Sequence, residues 1–195
     1  MSGPNLKSVD IVLLLLYSPG YTNEINEPIA GRTKITKMLF LFEKELAKKF
    51  KLNQIIGNEN IFKFEAWNYG PMSKTIFKDL DFLKNIGFIK NNTGITNNLL
   101  IEEIDEYNHY IAEFADEDDS LTEFKNEVFK LTEKGEQFIQ DKNKYKSLTE
   151  EQKKYLKEFK TKLNRASLRD ILKYVYTTYP DYTSKSLIKK QVLEG

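Results

Sequence analysis

Six consecutive apolar residues, Ile11 to Leu16, form the longest apolar run in the chain, and Pro19 and Gly20 follow close behind. A run that is apolar on every face predicts a helix over Lys7 to Ser18, buried on most sides and stopped by the Pro-Gly pair. A polar loop through Pro28 then leads to Gly31. From Thr33 the pattern changes: Ile35, Met38, Leu39, Phe42, Leu46 and Phe50 recur at helical spacing, with Lys34, Lys37, Lys44 and Lys48 at other positions. This spacing predicts an amphipathic helix of about four turns.

Between Ile61 and Trp67 the residues Phe62, Phe64 and Ala66 alternate with Lys63, Glu65 and Trp67, the period of a strand. Asn68, Tyr69, Gly70 and Pro71 predict a turn, after which Ser73 is placed to cap a third helix. Ile76, Phe77, Leu80, Leu83 and Ile86 give that helix its inward face, and Gly87 ends it. Phe88 and Ile89 open a strand, and Asn91, Asn92, Thr93 and Gly94 supply hairpin chemistry. Leu99 to Ile104 and Glu127 to Leu131 predict the remaining strands, with an acidic stretch between them. Leu131 to Gly135 leads into a helix carrying Phe138 and Ile139. Two more helical patterns follow, one on Leu148, Tyr155, Leu156, Phe159 and Leu163, the other on Leu168, Ile171, Leu172, Val175 and Tyr179, with Pro180 ending the second.

Helices, then a hairpin, then a helix is the order of a winged helix. The expected fold is α+β and mainly helical: a winged-helix-like core with a small antiparallel sheet and a C-terminal helical pair. The core is placed at residues 5–140, with an acidic insertion at 101–123, and a helical extension at 141–195 packs on it. The chain shows no internal repeat and no low-complexity tract.

Charge changes this picture once it is mapped. The formal net charge is only +1, yet ten acidic residues and no Lys or Arg fall between Ile101 and Glu123. Without those ten, the rest of the chain carries +11. A basic body of this kind points to an anionic partner or to internal charge compensation by the acidic segment. The chain contains no cysteine, which removes disulfides, thiolate metal sites and cysteine nucleophiles and fits a reducing, cytoplasmic location. No apolar run approaches the roughly 18 to 20 residues that cross a bilayer, so no membrane partner is expected.

Several stretches resemble a known family. GRTKITKMLFLFEKEL (Gly31 to Leu46), FEAWNYGPMSKTIFKDLDFLKNIGFI (Phe64 to Ile89), FKLTEKGEQFI (Phe129 to Ile139) and YTTYPDYTSKS (Tyr176 to Ser186) are similar to the YwgA-like bacterial and archaeal proteins. More distantly they resemble the Panacea, or SocA-like, antitoxin domain. The aromatic residue, Tyr69, Gly70 and Pro71 before a helix are the most specific part of the likeness. The resemblance implies toxin neutralisation through protein contacts and transfers no catalytic residue. The long acidic insertion departs from a compact wing.

The candidate chemistry is that of binding. His109 is the only histidine and stands in no zinc-ligand spacing, while Asp116, Glu117, Asp118 and Asp119 lack the alternation, glycine and distal glutamate of a calcium loop. Phosphate-binding glycine loops and a nucleophile elbow are also missing, so no enzyme, cofactor or metal is expected. The basic residues suggest a nucleic-acid surface instead. Arg32, Lys34 and Lys37 open the second helix, where the helix N-terminus adds to their pull on a phosphate. Ser73, Lys74 and Lys78 lie at the start of the third, Lys90 begins the wing, and Asn85 is placed to touch a base edge. Asp79 and Asp81 weaken that face. Tyr174, Tyr176, Tyr179 and Tyr182 suggest an interface stripe, and Phe64, Trp67 and Tyr69 suggest packing anchors.

The leading expectation is a regulatory winged-helix protein that binds double-stranded DNA. The alternatives are an antitoxin- or adaptor-like module that contacts a protein partner, a toxin or a complex subunit, through Asp116 to Asp119, and a carboxylate-based nuclease. A homodimer is compatible with either binding reading.

Overall fold

The six-residue apolar run needs a shell on all sides, and the fold supplies one. The computed structural model describes residues 6–47, 61–91 and 127–194. The first helix, α1, spans Ser8–Tyr17, with Ile11 to Leu16 all buried. Its first turn is closed by the Lys7 amide donating to Asp10 Oδ2 at 2.9 Å. Its end is closed by Lys160, whose ammonium donates to the carbonyls of Leu16 and Ser18 at 2.8 Å each. A helix leaves its last carbonyls without partners, and a buried helix end must find them elsewhere.

Strand β1 (Ile29–Ala30) precedes α2 (Arg32–Leu41), whose final turn widens into a π-helix over Phe42–Leu46. Strands β2 (Glu65–Trp67) and β3 (Gly70–Met72) form a hairpin, and Ser73 caps α3 (Lys74–Asn85) by accepting from the Ile76 amide. Gly87, at φ +72°, closes α3, with its amide reaching Lys84 O and that of Phe88 reaching Leu83 O. Then come β4 (Ile89–Asn91), β5 (Val128–Leu131) and α4 (Glu133–Asp141), the last capped by Thr132. Helices α5 (Glu150–Arg165) and α6 (Leu168–Thr178), a 3₁₀ turn at Pro180–Thr183 and α7 (Lys189–Glu194) complete the described chain.

The protein is therefore α+β and mainly helical, with two small antiparallel sheets among the described residues. In the three-stranded sheet β5 lies between β1 and β4, with Ile29 opposite Phe129 and Lys90 opposite Lys130. α1 packs on α3, α4 and β5, while α6 packs on α2 and β3. One apolar cluster runs from Leu15 through Phe40 and Leu80 to Leu156, Ile171 and Val175, so the C-terminal helices share the core of the rest.

Three elements differ from the sequence expectation. Gly70 and Pro71 do not turn the chain: Asn68 and Tyr69 do, and Gly70 and Pro71 return as β3 opposite Trp67 and Ala66. β1 is only two residues long, too short to leave a periodic signal, and is held by pairing with β5 and by the Gly31 amide donating to Glu127 O at 2.7 Å. The tyrosines do not form a surface stripe. Tyr176 is buried, and Tyr179 and Tyr182 set their rings edge-on to Phe40 at 5.1 and 5.0 Å. Tyr174 and Tyr179 both donate to Glu45 Oε1, at 2.8 and 3.0 Å. The expected strand at Leu99 to Ile104, the hairpin residues Asn92 to Gly94 and the acidic insertion lie outside the described residues.

Two glycines fix joints between these elements. A Cβ on Gly135 would stand 2.1 Å from the carbonyl oxygen of Phe88, and that oxygen is held in place by the Thr132 amide at 3.0 Å. Gly70 has φ +80°, and a Cβ there would meet the Tyr176 ring at 2.9 Å. Gly135→Ala should lower stability by about 1–3 kcal/mol through overpacking against backbone. Gly70→Val should cost about the same through φ strain alone, and more once the ring is displaced. Urea unfolding reads both, and a midpoint equal to the wild type's at either site would contradict the geometry given for it.

Candidate nucleic-acid interface

The outer face of α3 is set by the way its start is fastened. The Ser73 hydroxyl donates to the Phe62 carbonyl and accepts from the Ile76 amide, while the Phe62 amide donates to Glu43 Oε2 at 3.0 Å. Ile76, Leu80 and Leu83 are buried, which leaves Lys74, Lys78, Phe82 and Asn85 exposed. Spacings of four, four and three residues put these four side chains in one stripe along the helix. At 1.5 Å per residue the stripe is about 16 Å long.

The two aspartates that weaken this face on paper do so less in the fold. Asp79 is half-buried and hydrogen-bonded to Ser8 at the start of α1, and burial raises its pKa. A carboxylate at a helix N-terminus serves that helix. Asp81 stays in the exposed stripe but meets Arg32 Nη2 at 3.3 Å and Lys84 Nζ at 3.5 Å. Lys84 and Arg32 also meet Glu127, at 3.5 and 2.7 Å. Two cations thus balance two carboxylates, and the charges of Lys74 and Lys78 are left to set the sign of the face.

The cations of α2 are buried and bonded within the fold, with Arg32 reaching the α3 stripe at Asp81. Arg32 is buried and gives Glu127 two hydrogen bonds, Nε to Oε2 at 2.7 Å and Nη2 to Oε1 at 3.0 Å, with the Phe77 ring 5.1 Å from its guanidinium carbon. Lys34 is buried and donates to Asn164 O at 3.1 Å. Lys37 is buried and donates to the carbonyls of Tyr69 and Pro71 at 2.7 and 2.8 Å. Ser73 is likewise buried. Of the eight residues singled out for nucleic acid, the fold keeps Lys74, Lys78, Asn85 and Lys90 on the surface and gives Arg32, Lys34, Lys37 and Ser73 internal bonds. Asp116, Glu117, Asp118 and Asp119, with His109, lie outside the described residues.

One further cation joins the surface set. Lys130 on β5 pairs directly with Lys90 on β4, which places both side chains on the same side of the sheet. Like charges in direct opposition repel, and an anion between them relieves the cost. Lys130 interrupts the apolar residues Val128, Phe129 and Leu131, and it becomes half of a pair only once the register is known. Phe82, which the helical spacing leaves off the inward face of α3, is more than half exposed at 52% on the stripe.

Comparison of the chain with family models, with curated proteins and with solved structures finds no match. Among the described residues, no three His, Asp or Glu side chains gather as metal ligands, and no helix is long and apolar enough to cross a membrane.

The inward lysines give the fold a pH dependence. Burial lowers Lys37 to about 7, and it lowers Lys160 to about 7 against a small opposing pull from Glu27. A neutral amine still has two N–H donors for its two carbonyls, so losing the proton removes the cost of burying charge and keeps the hydrogen bonds. Between about pH 7 and 10 the unfolded chain holds protons that the folded chain has released, so stability rises with pH. Above pH 10 the sign reverses. Tyr174 and Tyr179 then keep protons that the unfolded chain loses, through hydrogen bonding to Glu45 and through burial respectively. The melting temperature should therefore climb from pH 7 to 9, and Lys37→Met and Lys160→Met should each flatten the climb. A variant profile as steep as the wild type's would count against that lysine as its source.

Proposed function

We propose that the chain is a winged-helix protein that binds double-stranded DNA in a regulatory role, laying the outer face of α3 in a groove and the β4–β5 hairpin along the backbone. The observation that carries this reading is the stripe of Lys74, Lys78, Phe82 and Asn85, cleared of uncompensated acid, together with the Lys90–Lys130 pair. The order α1, β1, α2, α3, β4, β5, interrupted between α2 and α3 by the β2–β3 pair, with β5 central in the three-stranded sheet, supports it, because α3 leads directly into the antiparallel β4–β5 ladder. In this arrangement the lysines fix register on phosphates and Asn85 faces base edges.

A second reading has an observation of its own. Trp67, 44% exposed, and Leu187, 66% exposed, lie on segments that meet, the Leu187 amide donating to the carbonyl of Asn68, next in sequence to Trp67, at 2.9 Å. Exposed apolar side chains on adjoining segments favour a protein partner, as expected of an antitoxin- or adaptor-like module.

The two readings separate on one set of variants. Duplex binding should weaken as salt rises, and Lys74→Glu with Lys78→Glu should make the plot of log affinity against log salt shallower by about two contacts. The melting temperature should hardly change, since both side chains are exposed. Trp67→Ala with Leu187→Ala should leave duplex affinity where it was. Absence of duplex binding at low salt, or a charge-reversed protein that binds with the wild-type slope, would overturn the DNA reading.

A further inference from the structure

A solvent-exposed phenylalanine in the middle of a basic stripe is costly in water, and its neighbours indicate what covers it. Phe82 lies four residues beyond Lys78 and three before Asn85, so a partner that engages both of them also covers the ring. That partner is anionic along its edge, to meet Lys74 and Lys78, and has an apolar patch within a polar floor. Double-stranded DNA offers such a patch in the major groove as the C5 methyl of thymine, beside the N6 donor and N7 acceptor of adenine.

The rest of the stripe narrows the choice of base pair. Asn pairs in bidentate fashion with adenine, and its donor and acceptor fit no other base edge as well. Asp81, the carboxylate on this face that would accept from cytosine N4, is engaged by Arg32 and Lys84 at 3.3 and 3.5 Å. α3 presents no arginine, and of its lysines, which can also bond guanine, Lys84 is held by Asp81 and Glu127 while Lys74 and Lys78 are assigned to phosphates. Resting on the DNA reading above, we infer that α3 selects adenine–thymine steps, with Asn85 reading adenine and Phe82 detecting the thymine methyl. Phe82 is on this account a specificity-determining residue, and Lys74 and Lys78 supply affinity without sequence preference.

The test uses the full chain and three duplexes of equal length, about two helical turns. One contains only adenine–thymine pairs, the second replaces every thymine of the first with deoxyuridine, and the third contains only guanine–cytosine pairs. Backbone charge is the same in all three, and the second lacks only the methyl groups of the first. The wild type should bind the thymine duplex most tightly, weaken about fourfold for each contacted methyl lost, and bind the guanine–cytosine duplex at least about tenfold more weakly. Phe82→Ala should bind the thymine and deoxyuridine duplexes equally with the wild-type salt slope, and Asn85→Ala should narrow the preference over guanine–cytosine to the part that the thymine methyls supply. Thermal melts of both variants establish that the fold is kept. Wild-type protein that binds thymine and deoxyuridine duplexes equally would overturn the inference and leave the DNA reading standing. A Phe82→Ala protein that still prefers thymine would remove Phe82 from the role. Failure to bind any of the three at low salt would overturn the DNA reading itself.

Discussion

Helix α2 is enclosed on every side, so its cations have no water to turn to, and the bonds they make instead hold the neighbouring elements in place. Arg32 ties the helix to Glu127 at the head of β5, Lys34 ties it to the end of α5, and Lys37 ties it to both sides of Gly70 in the β2–β3 hairpin. Each bond satisfies a group that would otherwise be buried and unpaired. Removing one partner of a buried pair such as Arg32–Glu127 costs about 3–5 kcal/mol, because the other charge is left behind. Mutating any of these residues would therefore report first on folding, which separates them in kind from the exposed lysines of α3.

The same constraint explains how charge is sorted across the molecule. Where a cation is buried, a carbonyl or carboxylate meets it: Lys160 caps α1, and Glu27, which accepts from Asn164, offsets part of the lowering that burial imposes on the pKa of Lys160. On the surface the balance is looser. Asp79 turns toward α1 and Asp81 joins Arg32, Lys84 and Glu127 in a neutral quartet, so the positive charge of Lys74 and Lys78 is not cancelled within their own helix. Counting charges along the sequence could not reveal this, because it assigns Asp79 and Asp81 to the same face as the lysines.

Periodicity was most legible where one helix face meets water. α3, α4 and α6 sit on the residues their apolar pattern marked; Ser73 caps α3 as its position predicts, and the structure adds Thr132 and Ser167 as caps of the other two. α2 shows where that reasoning stops. Lys34 and Lys37 fall at polar positions of an amphipathic pattern, yet their acceptors lie 130 and about 30 residues away, at distances in sequence that no local pattern encodes. At the β2–β3 hairpin the expected four-residue turn takes in Gly70 and Pro71, which belong to β3, for a related reason. Gly and Pro together signal a turn, whereas here Gly70 is needed for its positive φ beside the Tyr176 ring and Pro71 for a strand position without a required donor.

The candidate site follows from long-range register more than from local motif. Lys90 and Lys130 are separated by forty residues and become a like-charge pair only through the β4–β5 ladder, just as Asp81 gains Arg32, in addition to Lys84 of its own helix, only because α2 lies beneath it. An exposed ion pair contributes little to stability, and Asp81 is 54% exposed while Arg32 is 3% exposed, so the contact does more for the sign of the α3 surface than for the fold. Arg32 is held by Glu127 regardless. A helix whose one outward carboxylate is answered from below, and whose outward lysines are not, keeps its attraction for an anion at little cost to the interior that supports it.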